Sequence, residues 1–244
     1  MFLEIKGIKK SFGAGESHVD VLKGIDLEIE KGEFCVLLGP SGSGKSTLLN
    51  IIGGIDGADA GSITIQGEQL EDMNEKKLSL YRRKHLGYIF QMYNLIPNLT
   101  VRENIEVGAY LSDRPLDVDE LLETLGLYEH QRKFPNQLSG GQQQRTLLAR
   151  ALCATSKVIL LDEPVTGLDP KVTAEFYQVT KDLNEEGIAV IMVSHDVQAL
   201  TYATHILHMD QRDSFYGTKE EYMNSDKWKL FKNTEEDRIG GEKK

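Results

Sequence analysis

The sequence predicts an α/β protein with a parallel β-sheet, an N-terminal antiparallel β subdomain and an inserted α-helical subdomain. After residue 139, short apolar runs alternate with helical patterns, as in parallel strands that are joined by crossover helices. Apolar and polar residues alternate over much of the first 30 positions, which is typical of half-buried antiparallel strands. Residues 101–134 carry a helical pattern without a strand pattern, which indicates the inserted subdomain.

Apolar periodicity and the residues that interrupt it define the individual elements. In chain order, the predicted elements are strands within residues 3–29, a buried strand at 34–38, a helix at 47–52, a strand at 62–66, a helix at 74–84, a strand at 86–90, helices within 101–134, a helix after Ser139, a buried strand at 158–161, a helix from Pro170 with its apolar face at Val172, Phe176, Val179 and Leu183, and a buried strand at 188–193.

These elements are expected to form one domain over residues 1–225, with the helical subdomain inserted at residues 92–137. Residues 226–244 form a polar C-terminal tail of mixed charge, and we expect the last dozen of them to be disordered. With 244 residues, of which 40% are hydrophobic and 27% charged, the chain can build one sizeable core.

Charge and cysteine content exclude some classes of protein. The chain has 28 Lys and Arg against 38 Asp and Glu, a formal net charge of −10, which argues against nucleic acid as a partner. Its two cysteines form no C-x-x-C pair, so we expect buried thiols in a reducing compartment. The first residues alternate like a strand and not like a signal peptide. The longest apolar run, Ile188–Val193, is far shorter than the ~20 residues of a membrane span, so work at a membrane requires a membrane partner.

Residues 39–47 carry the pattern G-x-x-x-x-G-K-[ST] between a predicted strand and a predicted helix. The residues expected to bind phosphate are Gly39, Pro40, Ser41, Gly42, Ser43, Gly44, Lys45, Ser46 and Thr47. The glycines let backbone N–H groups turn towards an anion, and the helix N-terminus adds its positive end. We expect Lys45 to reach the β- and γ-phosphates and the Ser46 hydroxyl to hold Mg²⁺. The pattern thus predicts a P-loop nucleoside triphosphatase core.

Two acidic residues follow the buried strand at 158–161. Asp162 stands where a second Mg²⁺ ligand is expected, directly or through water. Glu163 is predicted to point the other way along an extended segment, where it could polarise the water that attacks the γ-phosphate.

A second helix begins at residues 138–142, whose sequence is Leu138, Ser139, Gly140, Gly141 and Gln142. A serine at the cap and free N–H groups make this helix start a second candidate anion site. Alone it is weak evidence, because serine and glycine commonly begin helices.

Taken together, these motifs resemble the nucleotide-binding subunit of ATP-binding-cassette (ABC) transporters over nearly the whole chain up to about Tyr222. The resemblance is carried, in one order, by residues 39–46, Gln91, residues 138–142, Asp162, Glu163 and His195.

This resemblance implies further roles. Phe12 matches the aromatic residue that stacks on adenine, although an ordinary aromatic residue at a strand end is the alternative. Gln91 matches the residue that touches Mg²⁺ and the attacking water and senses the transmembrane partner. His195 matches the switch that contacts the γ-phosphate, and Asp169 matches the loop that signals across a dimer. Catalysis is thereby assigned to Glu163, together with Lys45, Gln91 and His195.

The resemblance also implies that one copy is incomplete. In the family, Ser139 and Gly141 of one subunit contact the γ-phosphate bound to the other, so two copies, or a pair with a like ATPase subunit, enclose two ATP molecules with Mg²⁺. We therefore expect a dimer in the ATP state that binds an integral-membrane permease at the cytoplasmic face of the cell membrane.

Two regions indicate different branches of the family. Residues 82–106 resemble ATPases of the lipoprotein-release and macrolide-export type, whereas residues 150–155, 165–171 and 205–208 are similar to ATPases of zinc and manganese importers. We weight the first region more, because in the family it borders the groove that receives the permease. The alternatives are a zinc or manganese importer, a non-transporting ATPase that transmits force as in the cell-division branch, and a soluble relative as in iron–sulfur cluster assembly.

Overall fold

The computed structural model describes residues 1–89, 95–112, 115–154, 157–210 and 213–232. In these ranges the strands form a six-stranded sheet and a four-stranded sheet, with helices packed against them. The predicted α/β architecture is confirmed.

The elements lie close to their predicted positions. The strands are β1 (Leu3–Phe12), β2 (Val19–Ile29), β3 (Phe34–Leu38), β4 (Ala60–Ile65), β5 (Glu68–Gln69), β6 (Leu86–Ile89), β7 (Val158–Asp162), β8 (Ala189–Val193), β9 (His205–His208) and β10 (Phe215–Thr218). The α-helices are α1 (Lys45–Ile52), α2 (Glu75–His85), α3 (Val101–Leu111), α4 (Val118–Thr124), α5 (Gly140–Ala154), α6 (Pro170–Glu185), α7 (Ala199–Tyr202) and α8 (Lys219–Met223). Short 3₁₀ turns lie at Gly15–Ser17, Tyr128–His130 and Pro135–Gln137, and residues 226–232 are helical.

The larger sheet has the strand order β10-β9-β3-β8-β7-β6. Strands β9, β3, β8, β7 and β6 are parallel to their neighbours, and β10 is an antiparallel edge strand. Every residue of β3, β7 and β8 is buried, which explains why these strands are continuous apolar runs. Because parallel strands end at the same edge, the loops after β3, β8 and β7 lie side by side.

The smaller sheet is antiparallel, with the order β2-β1-β4-β5. Its apolar side chains and those of α1 share one buried cluster with one face of the larger sheet. The two sheets also meet at their edges, where the Tyr216 hydroxyl donates to the Glu28 carbonyl oxygen.

The helical segment shares its core with the other face of the larger sheet. Val101, Ile105 and Leu122 belong to the same buried cluster as residues of β3, β7 and α5. Helix α3 packs closely on α5, since a Cβ on Gly108 would lie 2.3 Å from the Arg150 carbonyl oxygen. The inserted subdomain is therefore continuous with the sheet core, and its predicted limits at residues 92 and 137 stay a proposal.

The C-terminal part of the described chain is an aromatic cluster. Tyr222, Trp228 and Phe231 pack around one another and around His208. The His208 ring nitrogen Nδ1 lies 2.7 Å from the Tyr222 hydroxyl, and burial lowers the pKa of His208 to about 4. Part of the predicted polar tail thus packs on the core, whereas residues 233–244, predicted to be disordered, lie outside the described residues.

Helix α6 shows one difference from the prediction. Its buried residues are Thr173, Phe176, Tyr177, Thr180, Leu183 and Asn184, while Val172 and Val179 are half-buried. The predicted apolar face is confirmed at Phe176 and Leu183. It is incomplete, because the helix also buries threonine, tyrosine and asparagine whose polar atoms find partners inside the protein. No helix in the described ranges is long and apolar enough to cross a bilayer. Both cysteines are buried, as predicted.

Candidate active site

The predicted phosphate-binding loop leaves β3 and enters α1 through backbone that favours glycine. Gly39 has a φ of +136° and Gly44 a φ of +92°. A Cβ on Gly39 would lie 2.0 Å from the Met209 carbonyl oxygen, and a Cβ on Gly44 would lie 2.7 Å from Leu22 Cδ2. The loop is therefore held tightly between β2 and the residue that follows β9.

Polar groups of this loop are arranged for an anion. The Lys45 ammonium group donates to the carbonyl oxygens of Gly39 and Pro40, each at 2.9 Å, and the residue is 5% exposed. Burial lowers the pKa of Lys45, and the neighbouring Glu163 and Asp162 oppose this shift. Charged phosphate oxygens are stronger acceptors than carbonyl oxygens, so a bound phosphate would compete well for the ammonium group.

Two hydroxyl groups complete this loop. The Ser43 hydroxyl is buried and finds no hydrogen-bond partner among the described residues, which leaves a donor for a ligand. The Ser46 hydroxyl donates to Asp162 Oδ1 at 3.1 Å, which brings two of the three predicted Mg²⁺ ligands together. The third, Gln91, lies outside the described residues.

The chemistry of Ser46 and Asp162 fits Mg²⁺. Burial is the main cause of a raised pKa for Asp162, and the Ser46 hydrogen bond opposes that shift. A cation beside this carboxylate would offset the cost of its burial. In the part of the chain that the structure describes, no group of three or more His, Cys, Asp or Glu side chains could hold a metal. Mg²⁺ is usually bound by one or two carboxylates together with substrate phosphates, and Asp162 would supply one such carboxylate.

Glu163 begins a turn and is not part of an extended segment, so that prediction was wrong. Strand β7 ends at Asp162, and Glu163 has a φ of +47° in the left-handed region. Its N–H donates to the Val193 carbonyl oxygen at 3.0 Å, and its own carbonyl accepts from the Thr166 N–H at 3.3 Å. A non-glycine residue in this conformation costs roughly 1–3 kcal/mol, and such residues cluster at functional sites.

The turn directs the Glu163 carboxylate towards His195. Glu163 Oε1 lies 3.0 Å from His195 Nε2, with the two side chains 20% and 34% exposed respectively. The Thr166 hydroxyl donates to Glu163 Oε2 at 3.3 Å, so each carboxylate oxygen has a partner. A cleft of about 380 Å³ opens beside Glu163 and His195. The predicted base and the predicted switch residue thus face one cleft.

Helix α6 holds the loop that carries His195, and the sequence did not predict this contact. The Tyr177 hydroxyl, on α6, lies 3.4 Å from Ser194 Oγ and donates to Asp196 Oδ2 at 3.3 Å. Ser194 and Asp196 are the residues on either side of His195.

The second candidate anion site, at the start of α5, caps itself. The Ser139 N–H donates to Gln142 Oε1 at 3.0 Å, and the Gln142 N–H donates to Ser139 Oγ at 3.3 Å. This reciprocal pair is a capping box. Ser139 is exposed, whereas Gly141 is buried against α6, where a Cβ would lie 2.2 Å from Val172 Cγ1. The starts of α5 and α6 are therefore fixed to one another.

Helix α5 also contacts the turn at Glu163. The Gln144 side-chain amide is buried and donates to the Pro164 carbonyl oxygen. Gln144 lies four residues before Leu148 on the buried face of α5. A polar residue in an apolar stripe was the sequence signal that could have identified it, but the neighbouring glutamines obscured that signal.

Among the remaining predicted residues, Phe12 and Asp169 lie at the surface, whereas Leu138 is buried. Phe12 ends β1, is 46% exposed, and has the Lys10 ammonium group 5.2 Å from its ring centroid. Asp169 is the N-cap of α6, accepting from the N–H groups of Lys171 and Val172. A second cleft, of about 900 Å³, runs between β2 and the β9–β10 hairpin and reaches the phosphate-binding loop. The structure thus brings Lys45, Ser46, Asp162, Glu163 and His195 together, with Phe12 and Ser139 exposed.

Comparisons with known proteins show which proteins this chain is similar to. The family model described as ABC transporter matches residues 22–166. The bacitracin export ATP-binding protein BceA of Halalkalibacterium halodurans is 42% identical over 211 residues, covering 84% of this chain and 83% of that protein. The macrolide export ATP-binding/permease protein MacB of Shigella flexneri is 43% identical over 212 residues, covering 85% of this chain and 33% of that protein.

One solved structure describes a dimeric post-hydrolysis state of the ATP-binding cassette MJ0796 bound to ADP and Pi. It matches with a TM-score of 0.79 and 35% identity, covering 88% of this chain and 98% of that chain. The chain spans only about a third of the length of several curated relatives, from 32% to 37%.

Proposed function

This chain belongs to the ABC transporter family of ATP-binding proteins, and from that premise we propose that it hydrolyses ATP as a dimer to drive a membrane permease of the lipoprotein- or macrolide-export kind. The observation that carries the hydrolytic part is the contact between Glu163 and His195 beside the hydrogen-bonded pair of Ser46 and Asp162. A carboxylate base, a histidine and a phosphate-binding lysine then meet at the ends of three adjacent strands.

The proposed roles follow from the contacts. Lys45 binds the β- and γ-phosphates, and Glu163, fixed by His195 and Thr166, accepts a proton from the attacking water. Ser46 and Asp162 hold Mg²⁺ together with Gln91. When bound, Mg²⁺ neutralises charge that develops on the phosphate oxygens. Phe12 is proposed to stack on adenine, for which its exposed ring at the end of β1 is suited.

The dimer is supported by the exposed start of α5. Ser139 and Gly141 are proposed to face the γ-phosphate held by a second copy or by a like ATPase subunit, with Asp169 signalling across that contact. The similar cassette MJ0796 is described as dimeric. Residues 1–225 are proposed as the ATP-binding domain, with residues 226–244 as its C-terminal extension.

The choice of permease rests on residues 85–134 and on the names of relatives. Macrolide and bacitracin export proteins are among the similar proteins. We propose a peripheral position at the cytoplasmic face of the membrane, where this surface meets the permease. A zinc or manganese importer is the alternative, favoured by residues 165–171, and an ATPase that transmits force as in the cell-division branch is a second.

The hydrolytic role is tested by Glu163→Gln. Purified protein with ATP and Mg²⁺ should release phosphate, and the variant should do so at least ~100-fold more slowly, the scale of a lost general base. Binding of a fluorescent ATP analogue should be retained, because Lys45 and Ser46 are unchanged. Near-normal turnover by the variant would remove Glu163 from catalysis.

The partner is tested by reconstitution with an export-type and a metal-import permease in turn. The export-type permease should form a stable complex and stimulate ATP hydrolysis, and exchanging residues 85–134 for those of an importer should abolish both effects. Stimulation by the metal-import permease alone would reverse the choice.

A further inference from the structure

We infer that Tyr177 is a positioning residue for His195, acting through the loop that carries the histidine and not through contact with ATP. This inference rests on the proposed function, because it concerns the hydrolytic step. Tyr177 lies in the second turn of α6 and is fully buried. It therefore reaches the active site from beneath the loop after β8.

The hydroxyl of Tyr177 contacts the side chains of the two residues on either side of His195. It lies 3.4 Å from Ser194 Oγ and 3.3 Å from Asp196 Oδ2. Both distances exceed the ~2.7–2.8 Å of a typical O–H···O hydrogen bond. Because the Tyr177 hydroxyl donates its one hydrogen to Asp196 Oδ2, the Ser194 hydroxyl is left to donate to the Tyr177 oxygen. Tyr177 thus holds the two neighbours of His195 at once.

The loop completes this network with its own groups. The Asp196 N–H donates to Ser194 Oγ at 3.0 Å, and the Gln198 N–H donates to Asp196 Oδ1 at 2.8 Å. The Ser194 N–H donates to the Leu37 carbonyl oxygen at 3.3 Å, in the strand that leads to the phosphate-binding loop. Tyr177 joins this network from α6, the helix whose N-cap is Asp169.

The Tyr177 ring is held independently of its hydroxyl. It stacks on the Tyr202 ring at a centroid distance of 5.2 Å and meets the Phe176 ring edge-on at 6.4 Å. A phenylalanine at this position would keep these ring contacts and lose only the polar contacts. Burial also raises the pKa of Tyr177, so its hydroxyl stays protonated across the working pH range.

The consequence for the active site is geometric. The His195 Nε2 atom lies 3.0 Å from Glu163 Oε1, and a small shift of the loop would change that distance and its direction. Misplacement of catalytic groups by about 1 Å can cost ~100-fold in rate. Loss of the two long polar contacts of the Tyr177 hydroxyl, with the ring packing kept, should move the loop by less than about 1 Å.

The test is Tyr177→Phe in the full chain, measured by steady-state ATP hydrolysis. We expect kcat to fall about threefold to tenfold, the range of one net hydrogen bond, while the KM for ATP stays within about twofold. Tyr81→Phe is the matched control. The buried Tyr81 hydroxyl donates to the Ile52 carbonyl oxygen at 2.7 Å, and this hydrogen bond does not involve the loop that carries His195. The control should lower thermal stability similarly and leave kcat unchanged.

A double-mutant cycle separates an effect on the position of His195 from a general loss of protein stability. In a His195→Ala background, Tyr177→Phe should cause no further fall in kcat, because the residue it positions is absent. Ser194→Ala should resemble Tyr177→Phe, which keeps the test valid if one variant folds poorly. An unchanged kcat for Tyr177→Phe, or a full additional loss in the His195→Ala background, would overturn the inference. Absence of hydrolysis by the wild-type protein would instead overturn the proposed function.

Discussion

Two helix starts in this protein are candidates for binding phosphate, and they differ in their surroundings. Helix α1 begins inside the molecule, where Lys45 is buried and the preceding loop is pressed between β2 and the residue after β9. Helix α5 begins at the surface, where Ser139 is exposed and forms a capping box with Gln142. Similar sequence signals therefore mark one start that is enclosed by this chain and one that is open to solvent, where we propose that it meets ATP held by a second copy.

The largest expected effect comes from disrupting the start of α5 alone. In the Glu163→Gln background, Ser139→Arg should abolish the ATP-dependent dimer, because a bulky charged side chain would enter the proposed interface. ATP binding by the monomer should persist, since the loop before α1 is untouched. Gel filtration with and without ATP measures the dimer, and Ser79→Arg, on the exposed face of α2, is the control. A dimer that survives Ser139→Arg would contradict the proposed pairing.

The complementary change is Gly44→Ala, which should disrupt the start of α1. The new Cβ would lie 2.7 Å from Leu22 Cδ2 in left-handed backbone, so overpacking and strain together cost about 3 kcal/mol. Fluorescent ATP binding should weaken about 100-fold, and the ATP-dependent dimer should be lost with it. Gly67→Ala has a similar φ of +86° with open space around it, and it should leave ATP binding unchanged.

Acidification should weaken the aromatic cluster around His208, which packs on the face of the larger sheet opposite α1. His208 pairs with Leu38, the residue before the phosphate-binding loop. Its ring contacts Tyr222, and burial is the main cause of its lowered pKa. Lys227 and Lys45 also disfavour the charged form of His208, while Asp210 favours it.

The sign of this pH effect follows from the lowered pKa. Between pH 6.5 and about 4, the unfolded chain binds a proton at His208 and the folded chain does not, so stability falls as the pH falls. From pH 7.5 to 5 the loss should be about 2 kcal/mol. Urea unfolding of the wild type and of His208→Gln at both pH values measures it. An equal loss in both proteins would assign the effect to other groups.

A smaller effect is expected where the start of α5 meets α6. Gly141→Ala should cost about 1–2 kcal/mol, because its Cβ would lie 2.2 Å from Val172 Cγ1. Adding Val172→Ala should recover part of this loss by making room for the new methyl group. Thermal unfolding of the two single variants and the double variant gives the coupling. Strict additivity would show that the two residues do not constrain one another.

The sequence predicted the elements that depend on local patterns. Buried parallel strands read as apolar runs, and the loop at 39–47 lies where the strand and helix patterns required it. The contact between Glu163 and His195 depends on a turn that the sequence does not encode locally, since the left-handed backbone of Glu163 is stabilised by Val193, a neighbour in space.

Other parts of the site were missed because their signals are ambiguous. Tyr177 and Gln144 are polar residues on buried helix faces, and the sequence does not show which partners they contact. The partners, Ser194, Asp196 and Pro164, come from loops that the sheet order brings close. Tertiary contacts, not propensity, determine these positions.

The aromatic cluster near the C-terminus gives the protein a built-in optical reporter. Trp228 is the single tryptophan of the sequence and packs 5.9 Å from the Tyr222 ring, whose neighbours include His208. Fluorescence excited at the red edge of the absorption band therefore comes from one known position in residues 226–232. The detachment of this segment can be timed separately from global unfolding, without attaching a dye or changing a residue.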